Sequence, residues 1–207
     1  MITILFSIIA FIAGSIPFSV IITKVLVDKD VREVGDNNPG AVNAWKSGGT
    51  YIGILVVFLE FLKAILPIYF AIRIGNLDNI SLIIVSFMPI VGHSFSPFLK
   101  FRGGKALAVT AAMWLALFQF EAAIVLFGFL AVFFTIQKND AWTVNIAHFS
   151  FFVYGILTSI SKSYMTNNQF IILWILAAIM MIYNHKKELK ELPNFRNFKG
   201  LIGVKYE

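Results

Sequence analysis

The stretch MITILFSIIAFIAGSIPFSVIIT, residues 1–23, contains no charged side chain. A helix needs about 20 apolar residues to cross the hydrocarbon core of a bilayer. This stretch lacks the basic start of a secretory signal peptide and is longer than the usual apolar segment of one. We therefore expect it to be a membrane helix that the protein keeps.

Six further apolar runs follow. They cover residues 51–72, 79–98, 106–120, 121–136, 142–160 and 169–183. Backbone polar groups in lipid must be bonded within the protein, and the runs lack the alternating polarity of barrel strands, so they predict helices. We predict an all-α integral membrane protein with about seven transmembrane helices. The third and fourth of these six runs meet at residues 119–121, and the count would be six if they formed one long helix or a re-entrant pair.

The composition excludes several classes of protein. Of the 207 residues, 58% are hydrophobic and 14% charged, whereas an average soluble domain has about 25% charged residues. A lone soluble domain cannot bury so much apolar surface, and the 22 Phe residues argue against disorder. The absence of Cys excludes disulfides, thiolate metal sites and a Cys nucleophile. We find no metal-binding cluster and expect no metal or cofactor.

The net charge is +6, and the positive residues lie at the ends of the apolar runs. This placement indicates basic loops at a membrane rather than a nucleic-acid partner. In a seven-helix arrangement 14 of the 17 Lys and Arg residues share one side, while Arg73 and Lys162 lie on the other and Lys63 lies within a helix. This bias predicts an outside N-terminus and a cytosolic C-terminus in a bacterial inner membrane. We expect one polytopic domain, residues 1–207, whose polar tail over 186–207 extends the last helix to near Pro193.

Three polar segments stand between the apolar runs, at residues 31–46, 92–105 and 184–192. The predicted orientation places all three on the cytosolic face. Loops on one face can converge on a single site, and binding and catalytic residues are often found on loops. We therefore expect one site built from these segments.

The second segment ends in Gly103-Gly104-Lys105, just before an apolar helix. Glycines allow close approach of a ligand to the backbone, and the amides and dipole of a helix start favour a phosphate. Lys100 and Arg102 add positive charge. The alternative is ordinary basic flanking of a membrane helix. The Walker pattern of phosphate loops is absent.

The first segment offers amide and cationic groups. Asn38 and Asn43 can donate to phosphate or hydroxyl oxygens, Gly40 lies in a turn, and Arg32 and Lys46 can bind an anion. A solvated loop with Asn turns is the alternative.

Three histidines and one pair of charges complete the candidate groups. His93 and His185 lie at cytosolic membrane edges and could act as general bases, although a structural role is the alternative. His148 is expected to be buried and hydrogen-bonded. Glu60 and Lys63 are three residues apart on one helix and can form an ion pair.

The three segments, in this order and spacing, resemble those of the bacterial acyl-phosphate:glycerol-3-phosphate acyltransferase family (PlsY). The first family motif is matched by Gly14, Pro17, Arg32, Gly35, Asn38, Gly40 and Asn43, and the second by Gly92, His93, Phe95, Phe98, Lys100, Phe101, Gly103, Gly104 and Lys105.

The resemblance implies a seven-helix enzyme that transfers an acyl group from acyl phosphate to the sn-1 hydroxyl of glycerol 3-phosphate. The products of this reaction are lysophosphatidic acid and phosphate, and the enzyme acts in phospholipid synthesis at the lipid bilayer. The resemblance leaves the oligomeric state open. On this basis we expect catalytic roles for His93, Lys105 and His185. Substrate binding is expected from Arg32, Asn38, Gly40, Asn43, Lys46, Lys100, Gly103 and Gly104.

The sequence departs from the family at several motif positions: Asp36 and Asn37 replace Ser-Gly, Val42 replaces Thr, Lys46 replaces Arg, Ala106 replaces Gly, Glu188 replaces Asn and Glu191 replaces Arg. Asp36 and Glu188 put negative charge where the family binds phosphate. Like charges about 4 Å apart repel by roughly 4 kcal/mol at a surface-like dielectric, which is about three decades of affinity. Both carboxylates must therefore point away from the phosphate or pair with cations, for which Lys46 and Lys187 are candidates.

Two alternatives remain open from the sequence. One is a diverged relative with a different acceptor or no activity. The other is a small transporter of an anionic solute, suggested by Glu60, Lys63 and His148 within the apolar runs.

Overall fold

The computed structural model describes residues 1–158 and 164–196, and this part is helical. Its α-helices are α1 (Ile2–Ser15), α2 (Phe18–Val27), α3 (Ala41–Arg73), α4 (Asn79–Ser94), α5 (Leu107–Ile136), α6 (Asp140–Thr158) and α7 (Asn167–Asn184). Short 3-10 helices cover Val31–Glu33, Pro97–Leu99 and Glu188–Lys190. Within the described residues, extended pairing is limited to one isolated bridge between Gln137 and Phe195. The predicted all-α class is confirmed.

Six stretches of the described chain are long and apolar enough to cross a bilayer: α1 together with α2, then α3, α4 with the turn after it, α5, α6 and α7. A straight helix of 30 residues, the length of α5, would be about 45 Å long. Instead, Gln119 has φ 61° and ψ −157° and breaks α5 into two arms, residues 107–118 and 120–136. The break coincides with the predicted junction at residues 119–121.

The two arms of α5 form a hairpin, because both of its ends meet the same residue. Lys105, just before α5, contacts the Glu188 carboxylate, and the Asn139 side chain, just after α5, donates to the Glu188 carbonyl. The chain therefore enters and leaves α5 at one face of the bundle.

Helices α1 and α4 lie side by side. Near their starts Thr3 donates to the Ser81 hydroxyl, and at their other ends Ser96, just after α4, donates to the carbonyl oxygen of Ser15, the last residue of α1. The two helices can pack this closely because residue 14 is a glycine, since a Cβ at Gly14 would overlap the backbone of Pro89.

Helix α7 runs in the same direction as α4. Gln169 near its start donates to Asn79 at the start of α4, and Asn184 at its end donates to Ser94 at the end of α4. The ends of α1, α4 and α7 thus share one face with both ends of α5. The polar segments 31–46, 92–105 and 184–192 gather at this face.

Three predicted helix boundaries are wrong. The first run is two helices, because Pro17 has no N–H to donate and Ile16 before it is extended (φ −60°, ψ 119°). Helix α3 begins at Ala41 rather than near residue 51, so Asn43 and Lys46 lie on a helix, and a break follows at Gly49 (φ 80°).

The last helix ends at Asn184 and does not extend to Pro193. A 3-10 turn at Glu188–Lys190 follows it and carries the chain back over the α5 hairpin. Lys162 and tail residues 197–207 lie outside the described residues.

His148 is buried in the core, as predicted. Its Nε2 accepts a hydrogen bond from the Trp114 indole at 3.1 Å, and its ring stacks on Trp174 with 5.2 Å between centroids. Trp114 is fully buried and packs on Phe118, Phe151 and Phe170.

The α1–α4 contact predicts opposite effects of one substitution at two glycines. Gly14→Ala should lower the Tm in detergent by at least about 2 °C, because overpacking costs about 1–3 kcal/mol. Gly128→Ala is the matched control, since a Cβ there meets nothing within 4 Å and Ala is the better helix former. Equal melting curves for the two variants would show that α1 and α4 do not depend on this close approach.

Candidate active site

A cavity of about 890 Å³ opens at the face where the three polar segments meet. Residues of all three segments line it, as the sequence predicts. The lining residues are Arg32, Asp36, Asn37, Asn38, Pro39, Phe98, Leu99, Lys100, Arg102, Gly103, Gly104, Lys105, Asn184, Lys186, Lys187 and Glu188.

Lys105 is held between the two acidic residues that depart from the family motifs. Its Nζ lies 2.6 Å from Asp36 Oδ2 and 2.8 Å from Glu188 Oε1. We expected Lys46 or Lys187 as partners of these carboxylates, and that expectation is wrong. The reason is the fold: Lys105 stands where the first and third segments approach each other, so both carboxylates reach it.

These contacts keep all three groups ionised. Partial burial opposes the charged form of Lys105, yet the two ion pairs outweigh it and hold the pKa of the ammonium above its usual value. Partial burial also opposes ionisation of Asp36 and Glu188, but the hydrogen bonds from Lys105 hold the pKa of each carboxyl below its usual value. Any anion that binds Lys105 must therefore compete with two carboxylates.

Asn38 joins the first segment to the second, and Asn43 holds the first segment together. The Asn38 side-chain oxygen accepts the backbone N–H of Lys105 at 3.1 Å. The Asn43 amide donates to Asp36 Oδ1 at 2.7 Å and to the Asn38 carbonyl at 3.0 Å. Gly40 leaves room for this arrangement, because a Cβ there would lie 2.6 Å from the Asn38 amide nitrogen. Asn43 and Gly40 thus support the site from outside the lining of the cavity.

The backbone amides of the glycine loop are already bonded within the protein. Gly103 N–H donates to the Ser94 carbonyl and Gly104 N–H donates to the His93 carbonyl, each at 3.1 Å. With Lys105 N–H bonded to Asn38, these three amides are not free for phosphate in this structure. Gly103 and Gly104 line the cavity, and their part in phosphate binding together with the start of α5 stays a prediction.

Neither candidate histidine belongs to the described residues that line the cavity. His93 is buried behind the glycine loop with its Nδ1 2.9 Å from Lys63 Nζ. His185 donates from Nδ1 to the Met181 carbonyl at 2.8 Å, and burial lowers the pKa of its imidazole. Proton transfer by either ring is not a role that these placements favour. The predicted Glu60–Lys63 ion pair is present, at 2.8 Å.

The remaining predicted cations differ in their placement. Arg32 lines the cavity and forms an ion pair with Asp30, whose pKa the Arg32 hydrogen bonds lower to about 2. Lys100 lines the cavity, whereas Lys46 does not belong to the described lining and lies beside Gly35.

Three cavity cations were not among the predicted site residues: Arg102, Lys186 and Lys187. Their signal in the sequence is adjacency, since each stands within one or two residues of a predicted site residue. Lys186 also lies over the Tyr183 ring, 4.2 Å from its centroid.

A family model described as glycerol-3-phosphate acyltransferase matches residues 4–194. The chain belongs to this family. One relative, the glycerol-3-phosphate acyltransferase of Endomicrobium trichonymphae, is 32% identical over 194 residues, covering 93% of this chain and 92% of the relative. Another, from Staphylococcus carnosus, is 30% identical over 207 residues, covering 97% and 96%. The resemblance drawn from the motifs is confirmed.

A crystal structure of PlsY (YgiH), an integral membrane glycerol 3-phosphate acyltransferase in its glycerol 3-phosphate form, has the same fold. The TM-score is 0.78 at 26% identity, and the match covers 98% of this chain and 99% of that chain. The predicted class of integral membrane protein is confirmed with it.

The contacts of Lys105 predict that removing one carboxylate strengthens phosphate binding. Glu188→Gln keeps the size of the side chain and frees part of the Lys105 charge, so the KM for the acyl phosphate donor should fall about threefold to fivefold, the range of an exposed ion pair. Glu191→Gln is the matched control, because Glu191 is exposed and replaces a family residue but does not line the cavity. Equal KM values in both variants would contradict competition for Lys105.

Proposed function

We propose that this protein is a membrane acyltransferase that moves a fatty acyl group from acyl phosphate to the sn-1 hydroxyl of glycerol 3-phosphate. The observation that carries the proposal is the cavity, in which the three family segments bring six cationic side chains of the described residues together. Membership of the glycerol-3-phosphate acyltransferase family supports the acceptor. The products are lysophosphatidic acid and phosphate.

The reaction needs little covalent help from the protein, because an acyl phosphate is an activated mixed anhydride. The acceptor hydroxyl oxygen bonds to the acyl carbon, the bond from that carbon to the phosphate oxygen breaks, and the hydroxyl proton ends on the released hydrogen phosphate. What the protein supplies is proximity of two anionic substrates and fixed positive charge around the phosphates.

The side chains divide these tasks by position. Lys100, Arg102, Lys186 and Lys187 are the cavity cations for which no carboxylate partner is found among the described residues, and we assign them to phosphate binding together with Arg32. Lys105 is assigned to the reacting phosphate, where Asp36 and Glu188 hold it until the phosphate takes their place.

The acyl chain is assigned to the apolar side of the cavity. Phe98 and Leu99 line the cavity beside the cations, and Phe98 is 62% exposed. An alkyl chain that leaves the cavity past these residues can remain in the inner leaflet while its phosphate stays with the cations.

The buried charges and histidine that suggested an anion transporter have structural partners in the helix bundle. Glu60 and Lys63 are paired with each other, and His148 is bonded to Trp114 in the core. The alternative of a diverged acceptor keeps its basis, because Asp36 and Glu188 do lie at the cavity.

We further propose one polytopic domain in a bacterial inner membrane, with about seven crossings when the α5 arms are counted separately. The cavity face is cytosolic and the N-terminus outside. The support is charge, since the cations of segments 31–46, 92–105 and 184–192 gather at one face.

Single cysteines can test the orientation, because the chain has none of its own. In intact bacterial cells, a membrane-impermeant maleimide should label Asp78→Cys, between α3 and α4, and should spare Lys138→Cys, between α5 and α6, until the cells are permeabilised. Both positions are exposed. The reverse pattern would invert the proposed topology.

Transfer activity tests the function itself. The purified protein, given palmitoyl phosphate and radiolabelled glycerol 3-phosphate, should form labelled lysophosphatidic acid, and palmitoyl-coenzyme A should not replace the donor. Lys105→Ala should reduce the rate by at least about 100-fold, the effect of losing one preorganised charge at a reacting group.

Lys190→Ala is the control for the loss of a lysine, because Lys190 is exposed and does not line the cavity. No product from folded, monodisperse protein would reject the proposed reaction. Full activity of Lys105→Ala would remove Lys105 from the site.

A further inference from the structure

Three ionisable side chains meet inside the helix bundle, beneath the cavity. Glu60 and Lys63 of α3 and His93 of α4 are buried, with side-chain exposures of 2%, 2% and 9%. Glu60 Oε2 lies 2.8 Å from Lys63 Nζ and 3.0 Å from His93 Nδ1, and Lys63 Nζ lies 2.9 Å from that same ring nitrogen. His93 Nδ1 either accepts from Lys63 or donates to Glu60, according to its tautomer, so one hydrogen bond at a time fixes the ring from this side.

The opposite side of His93 touches the glycine loop. The His93 carbonyl accepts the Gly104 N–H at 3.1 Å. A Cβ at Gly103 would overlap the His93 carbonyl oxygen, and one at Gly104 would overlap His93 Nε2. The loop backbone therefore lies directly on His93, and Lys105 is the next residue.

Stability alone does not explain this cluster. Taking charges out of water is costly, and replacing a buried ion pair with apolar side chains of similar volume is often neutral or stabilising. Ionisable groups within membrane helices are rare and commonly serve function. Since none of the three belongs to the described lining of the cavity, direct contact with substrate is not their role.

We propose that Glu60 and Lys63 are positioning residues that act through His93 to hold the Gly103-Gly104-Lys105 loop in place at the phosphate site. Lys63 adds a second anchor, because its Nζ also donates to the Ile16 carbonyl at the break between α1 and α2, at 2.9 Å. The expected change in KM rests on the proposed function, whereas the expected change in the stability of the loop does not.

The decisive variant is the double substitution Glu60→Leu with Lys63→Met, which removes both charges together and keeps the volume. Single substitutions leave a charge unpaired in the bundle and reduce folding for that reason alone. In the double variant, hydrogen exchange of the amides in residues 93–106 should rise at least about tenfold, the value of one lost charged hydrogen bond. Exchange in α6 and α7 should stay as in the parent protein.

The kinetic readout separates positioning from partial unfolding. A looser loop should raise the KM for one of the two phosphate substrates about tenfold and change kcat much less. A fraction of unfolded protein would lower kcat and leave both KM values unchanged. Ser86→Ala is the control in α4, because Ser86 is buried and its hydroxyl has no hydrogen-bond partner among the described residues.

The outcomes distinguish this inference from the proposed function. If the parent protein shows no transfer, the proposed function fails, and the exchange measurement still decides on positioning. If exchange in residues 93–106 is unchanged in the double variant, the inference is wrong even when the parent is active. Should this double variant not fold, Glu60→Gln with Lys63→Gln, which also leaves no unpaired charge, should show the same changes at smaller size, and unchanged exchange there would equally reject the inference.

Discussion

A chain inside a bilayer must satisfy its own backbone hydrogen bonds, and this constraint shapes the site as well as the helices. At the cavity face the helices end and their backbone groups need other partners. Gly103 and Gly104 donate to carbonyls at the end of α4, Lys105 N–H is bonded by the Asn38 side chain, and Asn139 donates to the Glu188 carbonyl. The bonds that close the helix ends are therefore the same bonds that bring the three segments together.

The sequence alone predicts the parts of this arrangement that depend on composition. Apolar length gives the membrane helices, and the polar segments between them are found at one face. Proline has no N–H, so Pro17 marks a break that apolar length alone does not indicate. The start of α3 at Ala41 could not be read, because a polar helix turn and a polar loop have similar compositions.

The sequence alone also does not predict the ion-pair partners of Lys105. The motif departures indicate that Asp36 and Glu188 need a cation, yet their partner, Lys105, is distant from both of them along the chain. Such a contact depends on how the segments approach one another. The same holds for His93, whose place behind the loop follows from the packing of α3 against α4, and not from the motif that contains it.

The glycine loop differs in kind from loops that cradle phosphate with free backbone amides. Gly103 and Gly104 allow close packing on His93, and their amides are bonded to the protein, so on the proposed function the cationic side chains are the groups left to bind anions. The charge of a cationic side chain can be offset by one nearby carboxylate. A backbone amide, in contrast, is present whatever the side chain at that position. A site of this kind keeps its fold when acidic residues enter the motifs. On the proposed function, Asp36 and Glu188 compete with a phosphate for Lys105, while the backbone hydrogen bonds that join the segments of the cavity do not involve that charge.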